Sequence, residues 1–351
     1  MTVRLFLYFH LVCLVLAGVV CASETPPVAS HYYSIDLGDG TKAPLPFERS
    51  QSLSVKDPKI VRLIFTVHSS NYDASLNFGN ARKMTKKAKP ARSRDTLIVA
   101  PQFLRTDKIK GGAENCKFLH WKDHPYWGSF GARYQGKDVR FSAYEAIDQM
   151  LEAICNSGNF PNLKTVVIMG HSAGGQLTNR YSVCGLFESN VAAARGIEVR
   201  YIVMAPSSYV YFDGQRPSQN RREKFAIPQD PPRKYDSWGY GLRKPLKYCR
   251  DYNLTSQQLR QHYPRKKVLF LVGSKDKNPK DRSLDKSASA NLQGPQRVER
   301  AKNYYNYLKH YFGNQIARNQ TFRVIQGAPH SSTSLMLSKP AIDFTFATKT
   351  R

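Results

Sequence analysis

The chain has 351 residues, with 53 Lys or Arg against 26 Asp or Glu, a formal charge of +27 and 41% hydrophobic residues. That apolar content excludes a disordered or low-complexity chain, and the length suits one large α/β domain with insertions. The charge reads either as attraction to a polyanion, such as acidic polysaccharide or an anionic lipid surface, or as a solubilising surface. No basic helix interleaved with aromatic residues accompanies it, so dedicated nucleic-acid binding is not expected.

Residues 1–22 read as a secretory signal peptide. Arg4 is a minimal basic start, residues 5–20 are almost wholly apolar, and Val20-Cys21-Ala22 offers a cleavage site after Ala22. The apolar run is short for an uncleaved anchor. Residues 23–351 are then expected to form one secreted, extracellular domain. Cys116, Cys155, Cys184 and Cys249 remain after cleavage. An even number in a secreted chain predicts two disulfides, with Cys155 and Cys184 each reaching Cys116 or Cys249. Asn253 and Asn319 begin N-glycosylation sequons.

Residues 31–37, 59–68 and 95–101 read as strands, with a helix over 72–87. Residues 103–136, rich in Gly, Trp, Tyr and His, read as a long loop over a pocket. A helix over 141–155, a buried strand over 164–169, a helix over 175–187 and a strand over 198–205 follow. Residues 207–264 break this rhythm with many Pro, Gly, Tyr and Arg residues. So long an irregular stretch is usually functional, and it reads as a cap-like insertion. A strand over 266–273, a helix over 297–312, a strand over 321–326 and a closing helix over 331–347 complete the chain. The alternation predicts a mostly parallel, doubly wound α/β sheet with helices on both faces.

One pentapeptide carries the chemistry. Gly170-His171-Ser172-Ala173-Gly174 spells G-x-S-x-G between a predicted strand and a predicted helix. That is the nucleophile elbow of the α/β-hydrolase fold, with an ordinary tight strand-to-helix turn as the bland alternative. A serine needs a base, and the base needs an orienting acid. His330 follows the last predicted strand, and Asp276 ends the strand before it, in the order Ser-Asp-His that this fold uses. Asp281 and Asp285 are the fallback acids. Lys277, Lys280 and Arg282 among them argue against a metal site. The N–H groups of Ala173 and Ser69 are the candidate oxyanion donors. Trp127 and Tyr209 are candidates for the substrate wall, with packing of the cap as their alternative; Tyr211 reads as packing. No cofactor or metal is called for.

Beyond the elbow, Pro206-Ser207-Ser208-Tyr209 and residues 284–295 (LDKSASANLQGP) resemble a little-characterised family of α/β-hydrolase-fold proteins from bacteria, fungi and other eukaryotes. The likeness spans roughly residues 59–330. It implies hydrolysis of an ester or related acyl bond and supplies no substrate. The expectation is a secreted serine hydrolase of carboxylesterase or lipase type. A peptidase or amidase on the same triad, and a catalytically silent polyanion-binding or adhesion protein, are the rivals.

Overall fold

The computed structural model describes residues 27–109, 116–218 and 224–347. The expected leader lies outside them. Eight strands form the main sheet: β1 (His31–Asp36), β2 (Lys42–Arg49), β3 (Arg62–Val67), β4 (Thr96–Pro101), β5 (Thr165–His171), β6 (Glu198–Met204), β7 (Lys267–Gly273) and β8 (Gln320–Ile325). Their order is β1-β2-β4-β3-β5-β6-β7-β8. The first two pairings, β1–β2 and β2–β4, are antiparallel and the other five are parallel. β3, β4 and β5 are buried along their whole length, as continuous apolar runs in a covered parallel sheet should be.

β2 was not expected from the sequence. Pro44 and Pro46 lie within it and argue against a strand. It survives near the sheet's antiparallel edge, where the proline carbonyls accept from the N–H groups of Leu119 and Gln102.

Helices cover both faces of the sheet. The main ones are α1 (Ala74–Ala88), α2 (Ala143–Asn156), α3 (Ala173–Cys184) and α4 (Arg297–Phe312). Asp73 caps α1 through the Leu76 N–H at 2.8 Å, and Ser142 with Glu145 forms a capping box on α2. The expected closing helix is two short helices, Ser332–Met336 and Lys339–Phe346. Pro340 sits in the first turn of the second, where a missing N–H costs nothing.

Among its described residues the insertion has little secondary structure of its own. It carries a two-residue ribbon, Arg216–Pro217 with Phe225–Ala226, and the helices Lys247–Asp251 and Ser256–His262. Fully buried arginines hold it in place. Arg216 donates to the carbonyls of Asp213, Gln215, Tyr235 and Tyr240. Arg180, from α3, donates to the carbonyls of Ser208 and Gly239.

The expected disulfides are not formed: Cys116, Cys155, Cys184 and Cys249 are free, buried thiols. Cys184 nevertheless meets Cys249, one of its two expected partners, thiol against thiol. Burial makes each of three thiols a weaker acid, pushing Cys155 up to about 12, Cys184 well above its ordinary value and Cys116 up.

Candidate active site

The turn from β5 to α3 is strained where the sequence places the serine. Ser172 has φ 56° and ψ −114°, a conformation that non-glycine residues rarely adopt. Its N–H donates to the Met204 carbonyl at 2.9 Å, which ties the turn to β6. The glycines around it are required by close approach. A Cβ on Gly170 would collide with the Gly174 carbonyl, and one on Gly174 with the carbonyls of Val67 and His68. One on Gly175 would lie 2.5 Å from the Met204 carbonyl. The start of α3 is thereby seated directly on the ends of β3 and β6.

At the same sheet edge, His330 Nδ1 lies 2.6 Å from Asp276 Oδ2. The loop carrying His330 crosses over the end of β7. The Lys275 N–H donates to the Ala328 carbonyl at 3.0 Å, and the Gly327 N–H to Ser274 Oγ at 2.8 Å. Gly273 permits the crossing, since a Cβ there would strike the carbonyls of Ala328 and Pro329. Of the three candidate acids, Asp276 is the one bonded to His330. Asp281 instead accepts from Ser283 and Arg297, and Asp285 from Tyr240.

Two neighbours were not foreseen. The other Asp276 oxygen accepts from Arg297 Nη1 at 3.3 Å, and Arg297 Nη2 reaches Ser283 Oγ at 2.8 Å. Arg297 therefore ties the acid to the loop that walls the cleft. His171 packs on the face of His330, with ring centroids 4.4 Å apart. Burial, and then the proximity of His330 and Arg297, push the His171 pKa well below its ordinary value, so its ring stays neutral. His171 was legible as the variable position of the elbow, but nothing in the sequence indicated its contact. Arg297 lay hidden as one basic residue among many on a predicted helix.

Ser172 and Ala173 line a cleft of about 390 Å³. The loop after β3 contributes Ser70 to its wall. Ser69, the expected donor, turns its hydroxyl to the His171 carbonyl at 3.0 Å. His68 fixes that loop. Its Nε2 accepts from the Phe103 N–H at 2.9 Å, so Nδ1 carries the proton donated to the Ser69 carbonyl at 2.8 Å. Burial pushes the His68 pKa down to about 4, which keeps this tautomer neutral. The segment expected as a long loop over 103–136 carries, in its described part, two strands (His120–Trp121 and Ala132–Tyr134) of a small antiparallel sheet that Lys137–Val139 completes, and it supplies His124, Tyr126 and Trp127 to the cleft. The Trp127 indole donates to Gln176 Oε1 at 3.2 Å. Tyr209 is elsewhere. It is 1% exposed, stacks on Tyr304 at 4.4 Å and packs the core beside Tyr211. Its N–H donates to Gln293 Oε1 at 2.8 Å. Tyr240, from the insertion, lines the cleft in its place, beside Tyr126. Among the described residues, no group of three or more His, Cys, Asp or Glu is placed to hold a metal ion.

No family model matches the chain, and no curated protein matches it. Two solved structures are similar over nearly its whole length. Poly(aspartic acid) hydrolase-1 from Sphingomonas sp. KT-1 is 16% identical, covering 91% of this chain and 99% of that one with a TM-score of 0.56. LpqC, a poly(3-hydroxybutyrate) depolymerase from Bordetella parapertussis, is 18% identical, covering 92% and 94% with a TM-score of 0.56. With the strand order above, this likeness defines the class of architecture: the protein has an α/β-hydrolase fold.

Proposed function

We propose that the protein is a secreted serine hydrolase that cleaves short-chain carboxylic esters through an acyl-enzyme. The observation that carries the reading is the Asp276–His330 bond at the sheet edge that also bears the strained Ser172. With Nδ1–H donated to Asp276, His330 Nε2 holds the free lone pair. It takes the Ser172 proton as Oγ attacks the acyl carbon. The ester C–O bond breaks, the acyl group passes to Oγ, and His330 returns the proton to the leaving alcohol. Water then attacks the acyl-enzyme by the same route and restores the serine. The Ala173 N–H, at the start of α3, and the N–H of Ser69 receive the oxyanion. The secreted location rests on the leader sequence. The segments at 206–209 and 284–295 support membership of the little-characterised family they resemble.

The size of the cleft favours a short acyl group. Three aromatic rings with Ala173 and Leu284 make much of its wall apolar, but a cleft of about 390 Å³ must also take the alcohol half, which leaves most of a fatty chain in water. Each methylene left unburied forfeits about 0.8 kcal/mol, so a fatty chain gains little here. A fluorophosphonate probe should label the wild type and spare Ser172→Ala; an unlabelled wild type ends the serine-hydrolase reading. p-Nitrophenyl acetate should be turned over far better than the palmitate, and the reverse preference would restore a lipase.

A further inference from the structure

A second concavity, of about 410 Å³, lies on the insertion and is lined by Arg233, Lys234, Ser237, Arg243 and Lys244. The four cations are exposed, and no acidic residue shares the wall. Asp236 is buried, 3.7 Å from the guanidinium of buried Arg216. Backbone bonds hold the cations together against their repulsion. The Arg243 N–H donates to the Asp236 carbonyl at 2.9 Å, and the Trp238 N–H to the Lys244 carbonyl at 3.0 Å. The Arg243 guanidinium donates to the Arg233 carbonyl at 2.7 Å. A concave wall of one sign attracts and concentrates anions.

This cradle adjoins the cleft. The Tyr240 N–H donates to the Ser237 carbonyl at 3.0 Å. That i→i+3 bond keeps the two Cα atoms within about 7 Å of each other. Ser237 lines the cradle and Tyr240 lines the cleft, so the two share one turn. Trp238 fixes the turn by donating from Nε1 to the Trp127 carbonyl at 2.8 Å.

The cleft itself suits a sugar. The rings of Tyr126, Trp127 and Tyr240 offer apolar surface, and Gln176, Ser283 and Asp285 offer partners for hydroxyl groups. The Asp285 carboxylate, an acceptor only, repels an anion within the cleft and leaves carboxylates to the cradle outside. A lipid surface fits poorly. Among the described residues the exposed large apolar side chains are Val28, Tyr32, Val55, Leu76, Ile227 and Tyr252, none of which lines the cleft or the cradle.

We propose that the alcohol half of the ester is a carboxylate-bearing polysaccharide. The cleft takes the esterified sugar, and the cradle takes carboxylates of neighbouring sugars on the same strand. The proposal rests on the reading of Ser172 as the nucleophile, and two assays separate them. The first compares acetylated polygalacturonate with p-nitrophenyl acetate for the wild type and for Arg233→Gln/Lys234→Gln/Lys244→Gln, which leaves the Arg243–Arg233 contact intact. The ratio of polymer to small-ester kcat/KM should fall on the order of tenfold, through KM, since exposed ion pairs are individually weak. The wild-type polymer KM should rise with NaCl. An unchanged ratio, or a salt-independent KM, overturns the proposal. The second measures unesterified polygalacturonate binding to full-length Ser172→Ala, with and without the triple substitution. Binding that needs the cradle, without wild-type hydrolysis of either ester, would overturn the catalytic reading and leave the polysaccharide site standing. Tighter binding of phosphatidylserine vesicles or single-stranded DNA than of polygalacturonate would overturn the ligand assignment.

Discussion

The parallel strands and the insertion satisfy their backbones with different donors. In the sheet, the parallel strands inside the edge, β3, β5, β6 and β7, pair with a neighbour on each side, so strand N–H groups take their carbonyls. In the insertion and the loops beside it, carbonyls turn to guanidinium groups. Arg216 takes those of Tyr235 and Tyr240, Arg180 that of Gly239, and Arg300 those of Ser207 and Asp285. One guanidinium presents five donors in a fixed fork, so a single side chain can replace a stretch of strand edge. Part of the basic excess is therefore architectural rather than solvent-facing. Burial lowers the Arg300 pKa only to about 10, so the group remains charged at neutral pH.

The sharpest test of this division asks where catalysis lives. Ser172→Ala should lower kcat for p-nitrophenyl acetate on the order of 10⁴–10⁶-fold, with Tm unchanged. Comparable activity in this variant would move the nucleophile off the sheet edge. Arg300→Met asks the opposite question. It strands the carbonyls of Ser207, Asp285 and Gly294, and each buried acceptor left unsatisfied costs about 1–3 kcal/mol. Hydrogen exchange should accelerate in residues 207–214 and 285–294 well before it does in β5. Equal acceleration in both would erase the contrast between the two regions. Gly273→Ala probes the crossing over β7. The added Cβ would push against the Ala328 and Pro329 carbonyls and displace the His330 loop. A shift of about 1 Å in a catalytic group can cost about 10²-fold, so kcat should fall with little change in KM. A pure KM effect would show that this crossing does not position His330.

The same contrast governs what the sequence discloses. The parallel strands were legible because β-branched and aliphatic runs such as those of β5 and β7 have few other uses. The elbow was legible because close approach to Val67, His68 and Met204 excludes any side chain at Gly174 and Gly175. Asp276 and His330 followed from strand order, since each sits just beyond a strand end. The insertion was legible only as a break in rhythm. Its order comes from Arg180, Arg216 and Arg300, and an arginine that binds carbonyls reads in sequence like one that binds water. Tyr209 failed for a related reason. Its position after β6 suggested a pocket wall, but stacking on Tyr304 draws it into the core, and Tyr240, from the irregular segment, takes the wall instead. The cysteines were half legible: Cys184 does meet Cys249, one of its two expected partners, but as a pair of thiols.

The seam between the two regions carries the smallest predicted effect, and it depends on pH. Asp148, on α2, accepts from Tyr181 of α3 at 2.6 Å, from the Phe187 N–H at 3.1 Å and from Tyr248 of the insertion. Burial pushes its pKa from 3.8 up to about 7, and the three hydrogen bonds only partly offset that rise. Between these values the folded protein keeps a proton that the unfolded chain has lost. The folded state then binds more protons, so unfolding free energy falls as pH rises across the window from about 4 to 7. Asp148→Asn removes this dependence. The wild type should lose about 2–4 kcal/mol more than the variant between pH 4 and pH 7, by denaturant titration at each pH. Below pH 4 the two should differ only by the pH-independent cost of the amide. Above pH 7 their difference should again be constant. Parallel curves for the two proteins from pH 4 to pH 7 would mean that Asp148 titrates as an ordinary carboxylate, and that the tyrosines at the seam already stabilise its charge.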